Sequence, residues 1–277
     1  MYQLWLAGGP DAKESKLSLE TLSLGEHNPR LIDIRKALDQ GTLTRDGFLP
    51  VEGPKLLEEA QRSGLEIVSV LKRRGTDTPE LSSTVPVYVV DPAAFKAIQA
   101  TETSQGVIAL VRPRRYGLLD ILSANNPLIV VLARLQDPGN VGTILRVAES
   151  FGVAGCVATT ETASALNPKT VRASAGSVFR LPHVWDVDLK QTVAAMNASK
   201  IHVVGTSPSA VDTIDWWDWR KPSAILIGNE GSGLSDEELH ACDALLRIPH
   251  RPAVESMNSA IAVSVILYEA YKQRTVR

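Results

Sequence analysis

Residues 127–135, PLIVVLARL, form an almost unbroken apolar run. Such a run suits a strand of a parallel sheet that is buried on both faces. Runs of the same kind recur at GCVATT (155–160), IHVVGT (201–206), SAILIG (223–228) and ALLRIP (244–249), with helical stretches between them. Strand–helix alternation of this kind predicts an α/β fold with a parallel, doubly wound sheet over 127–277.

A second α/β unit is expected upstream, over 30–115. FLPVEG (48–53) reads as a short strand, and PKLLEEAQRSG (54–64) as a helix with Pro54 in its first turn and Gly64 at its stop. IVSVL (67–71), VPVYVV (85–90) and VIALVRP (107–113) are β-branched runs that read as strands. Residues 116–126 read as a linker. Residues 1–29 carry little periodicity and read as an extension, with a lone strand possible at Tyr2 to Leu6.

The 277 residues are 44% hydrophobic and 22% charged, which excludes a mostly disordered chain. The formal net charge of −2 does not advertise a nucleic-acid partner, so any RNA contact must come from a local patch. Lys72–Arg74 and the Arg112, Arg114, Arg115 group are the candidates, and both equally suit solvated loops. The two cysteines, Cys156 and Cys242, are far apart and have no ligand spacing, nor do the five histidines, so no metal site is expected. Residues 1–15 lack the pattern of a signal peptide, and no apolar run is long enough to span a bilayer. A cytoplasmic location is expected.

Three segments carry candidate chemistry. DPGNVGTILRVAESFG (137–152) follows the 127–135 strand, with Asn140 as a candidate N-cap and Gly152 as a stop. Val141, Ile144, Leu145, Ala148 and Phe151 fall on one helical face, which leaves Gly142, Thr143 and Arg146 on the other, at the carboxyl edge of the sheet where ligands bind. ILIGNEGSGLSDEE (225–238) is a strand, a glycine-rich turn around Glu230 and a helix start marked by a Ser235/Glu238 capping box. It has neither a G-x-G-x-x-G pattern nor a P-loop lysine, so a phosphate cradle is disfavoured. RIPHRPAVESMNSAIAVSVILYEAYKQR (247–274) places Ser256 and Asn258 at the start of a long terminal helix. That helix is apolar on more than one side, which predicts a homodimer through it.

Taken alone, Arg146 reads as a solvated arginine and Glu230 as an exposed loop carboxylate. Jointly and in this order, the segments resemble the three signature motifs of the SpoU/TrmH family of RNA 2′-O-ribose methyltransferases, in the SPOUT superfamily. Asn140, Gly142 and Arg146 match its N-x-G-x-x-x-R helix. Gly228, Glu230 and Gly233 match its G-x-E-x-x-G turn, and Ile248, Pro249, Ser256, Met257 and Asn258 its last motif. NPKTVRASAGSVFRLP (167–182) resembles the family's Ser-Ala-Gly segment. His250, Met257 and Ser259 depart from the residues common there. FLPVEG and SQGVIALV resemble the substrate-binding domain of rRNA-modifying members.

The resemblance implies a trefoil knot through the last two motifs and S-adenosyl-L-methionine as cofactor, held by Thr206, Gly228, Asn229, Gly233, Ile248, Met257 and Asn258. It implies RNA as partner, most plausibly large-subunit rRNA, and a catalytic set of Arg146, Asn140, Glu230, Ser256 and Asn258. An arginine stays protonated and makes a poor base, so Arg146 is expected to position the acceptor and stabilise its developing charge. Asn140 and Glu230 are expected to orient Arg146. DWWDW (215–219) is expected to pack a loop rather than stack on bases. The alternatives are a tRNA enzyme of the same chemistry, a silent RNA-binding assembly factor and a nicotinamide dehydrogenase. The retained motif residues argue against a silent factor, and the missing G-x-G-x-x-G against a dehydrogenase.

Overall fold

The computed structural model describes residues 23–24, 28–251, 253 and 256–275. The expected strand at Tyr2 to Leu6 lies outside the described residues. The chain runs β1 (Ser23–Leu24), α1 (Pro29–Gln40), β2 (Leu49–Glu52), α2 (Pro54–Arg62), β3 (Ile67–Arg73), β4 (Val87–Val90), α3 (Pro92–Ile98) and β5 (Val107–Val111). These strands make one sheet in the order β1-β4-β3-β5-β2, with β5 antiparallel to both its neighbours. α1 is well bounded: the Asn28 side chain accepts from the Arg30 N–H, and Gly41 closes the helix in the left-handed region.

The residues expected to be a plain connector contain a short helix, α4 (Leu118–Leu122). Its Ile121 is fully buried against Gly155, so burial of one apolar side gives it structure. The chain continues through β6 (Leu128–Leu132), α5 (Pro138–Ser150), β7 (Gly155–Thr159), α6 (Pro168–Ala173), β8 (His183–Val187), α7 (Leu189–Ala198), β9 (His202–Thr206) and β10 (Asp212–Thr213). It ends with β11 (Ser223–Ile227), α8 (Asp236–His240), β12 (Ala244–Arg247) and α9 (Ser259–Thr275).

These strands form a seven-stranded, wholly parallel sheet in the order β10-β12-β9-β11-β6-β7-β8. Every residue of β6, β7 and β11 is buried, as expected of strands covered on both faces. Each fully buried Val, Leu or Ile there contributes about 1.5–3 kcal/mol. β8 has no apolar run because it is an edge strand and only half-buried. The sheet places the ends of β6, β9, β11 and β12 side by side, so the loops that follow them leave from one edge. No described helix is long and apolar enough to cross a membrane.

One hydrophobic cluster joins Leu49 and Val51 of β2 and Leu57 of α2 to Val178, Phe179 and Leu181, which precede β8.

Candidate active site

The loop after β6 contains Arg134, a non-glycine residue at φ 59°. Its conformation is held from several sides. Its N–H donates to the Thr159 and Thr162 hydroxyls at 3.2 and 3.0 Å, and its carbonyl accepts from Asn229 Nδ2 at 2.9 Å. Its guanidinium donates to both oxygens of Glu238 at 2.9 and 2.7 Å, and to the Gly233 carbonyl at 3.3 Å. Glu238 also completes the expected capping box, accepting from the Ser235 N–H at 2.7 Å. One carboxylate therefore starts α8 and ties the glycine-rich turn to the end of β6. Burial would push that carboxyl up, but the Arg134 hydrogen bond and charge and the Ser235 bonds outweigh it and hold it below its ordinary value.

The N-cap of α5 is Asp137, not the expected Asn140. Asp137 accepts from the Gly139 N–H at 2.7 Å, and Pro138 suits the first helical position. This frees the side chain of Asn140, the third residue of the helix, for tertiary contacts. Asn140 Nδ2 donates to Glu230 Oε1 at 3.3 Å, while Asn140 Oδ1 accepts from Asn258 Nδ2 at 2.9 Å. Glu230 accepts in addition from the Gln136 and Asp137 N–H groups at 3.2 and 3.1 Å. Burial raises the Glu230 pKa, but these hydrogen bonds prevail and keep it lowered, so it is an ionised acceptor. Asn258 Oδ1 meanwhile accepts from the Ala260 and Ile261 N–H groups at 2.9 and 3.2 Å and so caps α9. A continuous hydrogen-bonded chain thus joins the three motif segments.

Two adjoining cavities lie on this edge. The more polar, about 540 Å³, is bordered by Gln136, Asp137, Asn140, Glu230, Ser256 and Asn258. The other, about 290 Å³, has walls from Ile227, Leu246, Ile248 and Ala262, with Thr206, Gly228, Asn229, Gly233 and Met257 around them. Asn229, Glu230, Gly231, Ser256, Met257 and Ser259 border both. Of the expected cofactor residues, Asn258 alone borders only the polar cavity. A Cβ at Gly228 would overlap the Gly233 and Leu234 backbone, so Gly228 lets the turn close on itself, sealed by the Asn229–Gly233 bridge. Gly142 is not on a ligand-facing side. It is buried, and a Cβ there would sit 2.7 Å from Ala173 Cβ, so it is the contact that lets α5 and α6 pack closely.

Arg146 is exposed on α5, and its guanidinium has no hydrogen-bond or ion-pair partner among the described residues. Asn140 is bonded to both Glu230 and Asn258, and no bond from Asn140 or Glu230 to Arg146 is found among the described residues. Six residues of helix separate Asn140 from Arg146, which turns their side chains about 120° apart.

Sequence reasoning missed Arg134, Asp137 and Lys169. Lys169 Nζ donates to Asp137 Oδ1 at 2.8 Å, and this bond, with the Gly139 N–H, holds Asp137 below its ordinary pKa. Pro138, which follows Asp137, was the available signal for the N-cap. Nothing in an isolated arginine codon position signals the left-handed turn at Arg134. Burial pushes the Cys156 and Cys242 thiols up to about 12, which leaves them no nucleophilic part. Trp219 is fully buried with its Nε1–H on the Ile214 carbonyl and Trp217 is partly buried, whereas Trp216 is 64% exposed. No group of metal-binding side chains exists among the described residues.

The SpoU rRNA methylase family model matches residues 127–268, which contain the first two motif segments and the third as far as Tyr268. The chain belongs to this family. A second model, for RNA 2′-O ribose methyltransferase substrate binding, matches residues 50–117. The chain is 33% identical to an uncharacterised tRNA/rRNA methyltransferase of Synechocystis, over 89% of this chain and 92% of that one. It is 29% identical to a 23S rRNA guanosine-2′-O-methyltransferase of Bacillus subtilis, over 87% and 95%. An S-adenosylmethionine-bound rRNA methyltransferase from Sinorhizobium meliloti superposes with a TM-score of 0.78 at 30% identity, covering 92% of this chain and 98% of that one. This SpoU-family protein is an RNA 2′-O-methyltransferase.

Proposed function

We propose that this enzyme methylates a ribose 2′-hydroxyl of 23S rRNA in the cytoplasm. The observation that carries the reading is the pair of adjoining cavities, one apolar and one polar, joined by the Asn258–Asn140–Glu230 chain. The nature of the relatives and the substrate-binding match at 50–117 support rRNA as the substrate.

S-adenosylmethionine is the family's methyl donor, and the residues present fit it. The smaller cavity offers apolar walls to a flat base and polar groups from Thr206, Ser207 and Ser256. The Ser259 hydroxyl, buried on its border, has no partner among the described residues, and Glu230 brings a negative charge suited to a sulfonium. When bound, the cofactor supplies a methyl group activated by its positive sulfur.

The chain's own groups must hold the acceptor hydroxyl in line and ease loss of its proton. Asn140, Asn258 and Glu230, fixed by their mutual bonds, form a rigid wall beside that hydroxyl. Ser256 stands on the border of the two cavities, where methyl and hydroxyl must meet. Arg146, permanently charged and without a competing carboxylate, receives the RNA phosphate or the developing oxyanion. A phosphate or water takes the proton. The reading includes the trefoil knot through the last two motifs and a homodimer through α9.

The test is purified protein, labelled S-adenosylmethionine and 23S rRNA, with ribose methylation mapped by resistance to alkaline cleavage. One protected 2′-position in 23S rRNA is the expected result. Transfer confined to tRNA would replace the substrate and keep the chemistry, and absence of cofactor binding would overturn the reading.

A further inference from the structure

The segment 164–182 contains the resemblance-bearing stretch 167–182, to which the chemistry assigns no task. It is wedged between the two sheets. On one side α6 packs against Gly142 of α5, with Thr170 and Ser174 wholly buried. On the other side the Ser164 hydroxyl donates to the Gly41 carbonyl at 2.8 Å, and Gly41, at the end of α1, lies against Asn167. Gly176, at φ 90°, lies against the Glu59 side chain of α2, where a Cβ would come within 2.8 Å of it. The segment therefore touches both the helix that carries Arg146 and the unit that carries the substrate-binding match.

Arg180 ends this segment, and its guanidinium is divided between the two units. Its Nε and Nη2 donate to the two oxygens of Glu149 on α5, at 2.5 and 2.9 Å. Its Nη1 donates to Glu59 Oε2 at 3.0 Å and to the Ser63 hydroxyl at 2.9 Å, both in or just after α2. Arg180, Glu149 and Glu59 keep about a third of their side-chain surface or less. The planar fork satisfies three acceptor groups in fixed directions, which a lysine ammonium cannot reproduce. Burial raises the Glu149 carboxyl, but the Arg180 and Ser177 hydrogen bonds and the Arg180 charge outweigh it and leave it lowered. Glu149 lies three residues beyond Arg146 on the same helix.

We propose that Arg180 is a positioning residue that locks the RNA-binding unit to α5, so that bound rRNA is presented to Arg146 in one fixed orientation. The guanidinium sets the spacing of α2 and α5 and touches neither cavity. Its loss therefore falls on RNA and leaves the cofactor untouched. The assignment rests on the proposed rRNA activity for its kinetic consequence, but its geometric consequence can be measured without any substrate.

The experiment uses the full chain with Arg180→Gln, Arg180→Lys and, from the other side, Glu59→Gln. Spin labels on exposed Ser83 and Lys190, in a Cys242→Ala background, report the distance between the units. A single narrow distance is expected in the parent and a broadened one in all three variants. Steady-state transfer to 23S rRNA should show kcat lowered about tenfold with KM for RNA within about twofold, the pattern of a lost orienting contact. S-adenosylmethionine affinity should be unchanged, and Arg180→Lys should not rescue. Unchanged distances overturn the proposal whatever the kinetics. Broadened distances with an unchanged kcat overturn its functional half. A parent that binds cofactor but methylates no RNA defeats the proposed function and leaves the distance test standing.

Discussion

At the scale of residues, the site divides its work between groups that are locked and one that is free. Asn140, Glu230 and Asn258 have their hydrogen bonds committed, while Arg146 stands exposed. Arg146→Ala should therefore leave melting temperature and cofactor affinity close to normal and reduce single-turnover transfer by about 10²–10³-fold, the loss expected for one charge-stabilising donor. Near-normal transfer by this variant would remove Arg146 from the mechanism. The carboxylates that hold the motifs together give a second expectation. Glu230, Glu238 and Glu149 all have pKa values lowered by folding, so the unfolded chain binds more protons than the folded one in acid. Their contribution is complete above the ordinary glutamate range and is lost as pH falls through their lowered values. Melting temperature should be flat from neutral pH down to that range and then fall, and Glu238→Gln should shrink the fall. A fall centred near pH 7 would contradict it. The residue types at these positions were legible in the sequence, but their partners were not. Asn140 looked like a cap because caps are local, whereas its actual partners lie 90 and 118 positions away.

At the scale of elements, the apolar runs marked the buried parallel strands because burial on both faces leaves an unambiguous pattern. β8 and β10 escaped notice, since a half-buried edge strand and a two-residue strand leave none. α4 was hidden because five residues do not complete a periodic stripe. Gly142 was misassigned because its helix has two covered sides, one on the sheet and one on α6, and a glycine carries no hydrophobic signal for the second. That packing makes a sharp expectation. Gly142→Ala forces a methyl against Ala173 and the backbone of Thr170 and Ser174, and overpacking of this kind costs about 1–3 kcal/mol. The melting temperature should drop, and transfer should weaken with it, because α5 cannot shift without moving Asn140 and Arg146 together. An alanine variant as stable as the parent would show that α5 and α6 can separate without loss, and that Gly142 is not a packing residue.

At the scale of the whole molecule, the strand runs marked the strands of two sheets, while the ionic wedge between α2 and α5 stayed hidden because Arg180, Glu149 and Glu59 share no local pattern. The terminal helix was read as apolar on two sides, and the described residues leave one of those sides uncovered. Ala260, Val263, Ile266, Leu267 and Ala270 are buried, whereas Ile261, Val265 and Tyr268 form an exposed stripe at helical spacing, with Tyr271 beside it. Phe151 at the end of α5 extends this surface, its ring 6.3 Å from that of Tyr268 and 5.7 Å from that of Tyr271. A contiguous apolar surface of this kind is a liability on a monomer and the centre of an interface on a dimer. The chain should therefore be a dimer by light scattering at low micromolar concentration. Ile261→Asp combined with Tyr268→Asp should give a monomer with unchanged helix content, because both side chains point away from the buried face and leave no cavity behind. Burying two such charges without partners would cost far more than a standard interface can offset. A monomeric parent would reject the dimer, and a dimer that survives both substitutions would place the interface elsewhere on the molecule.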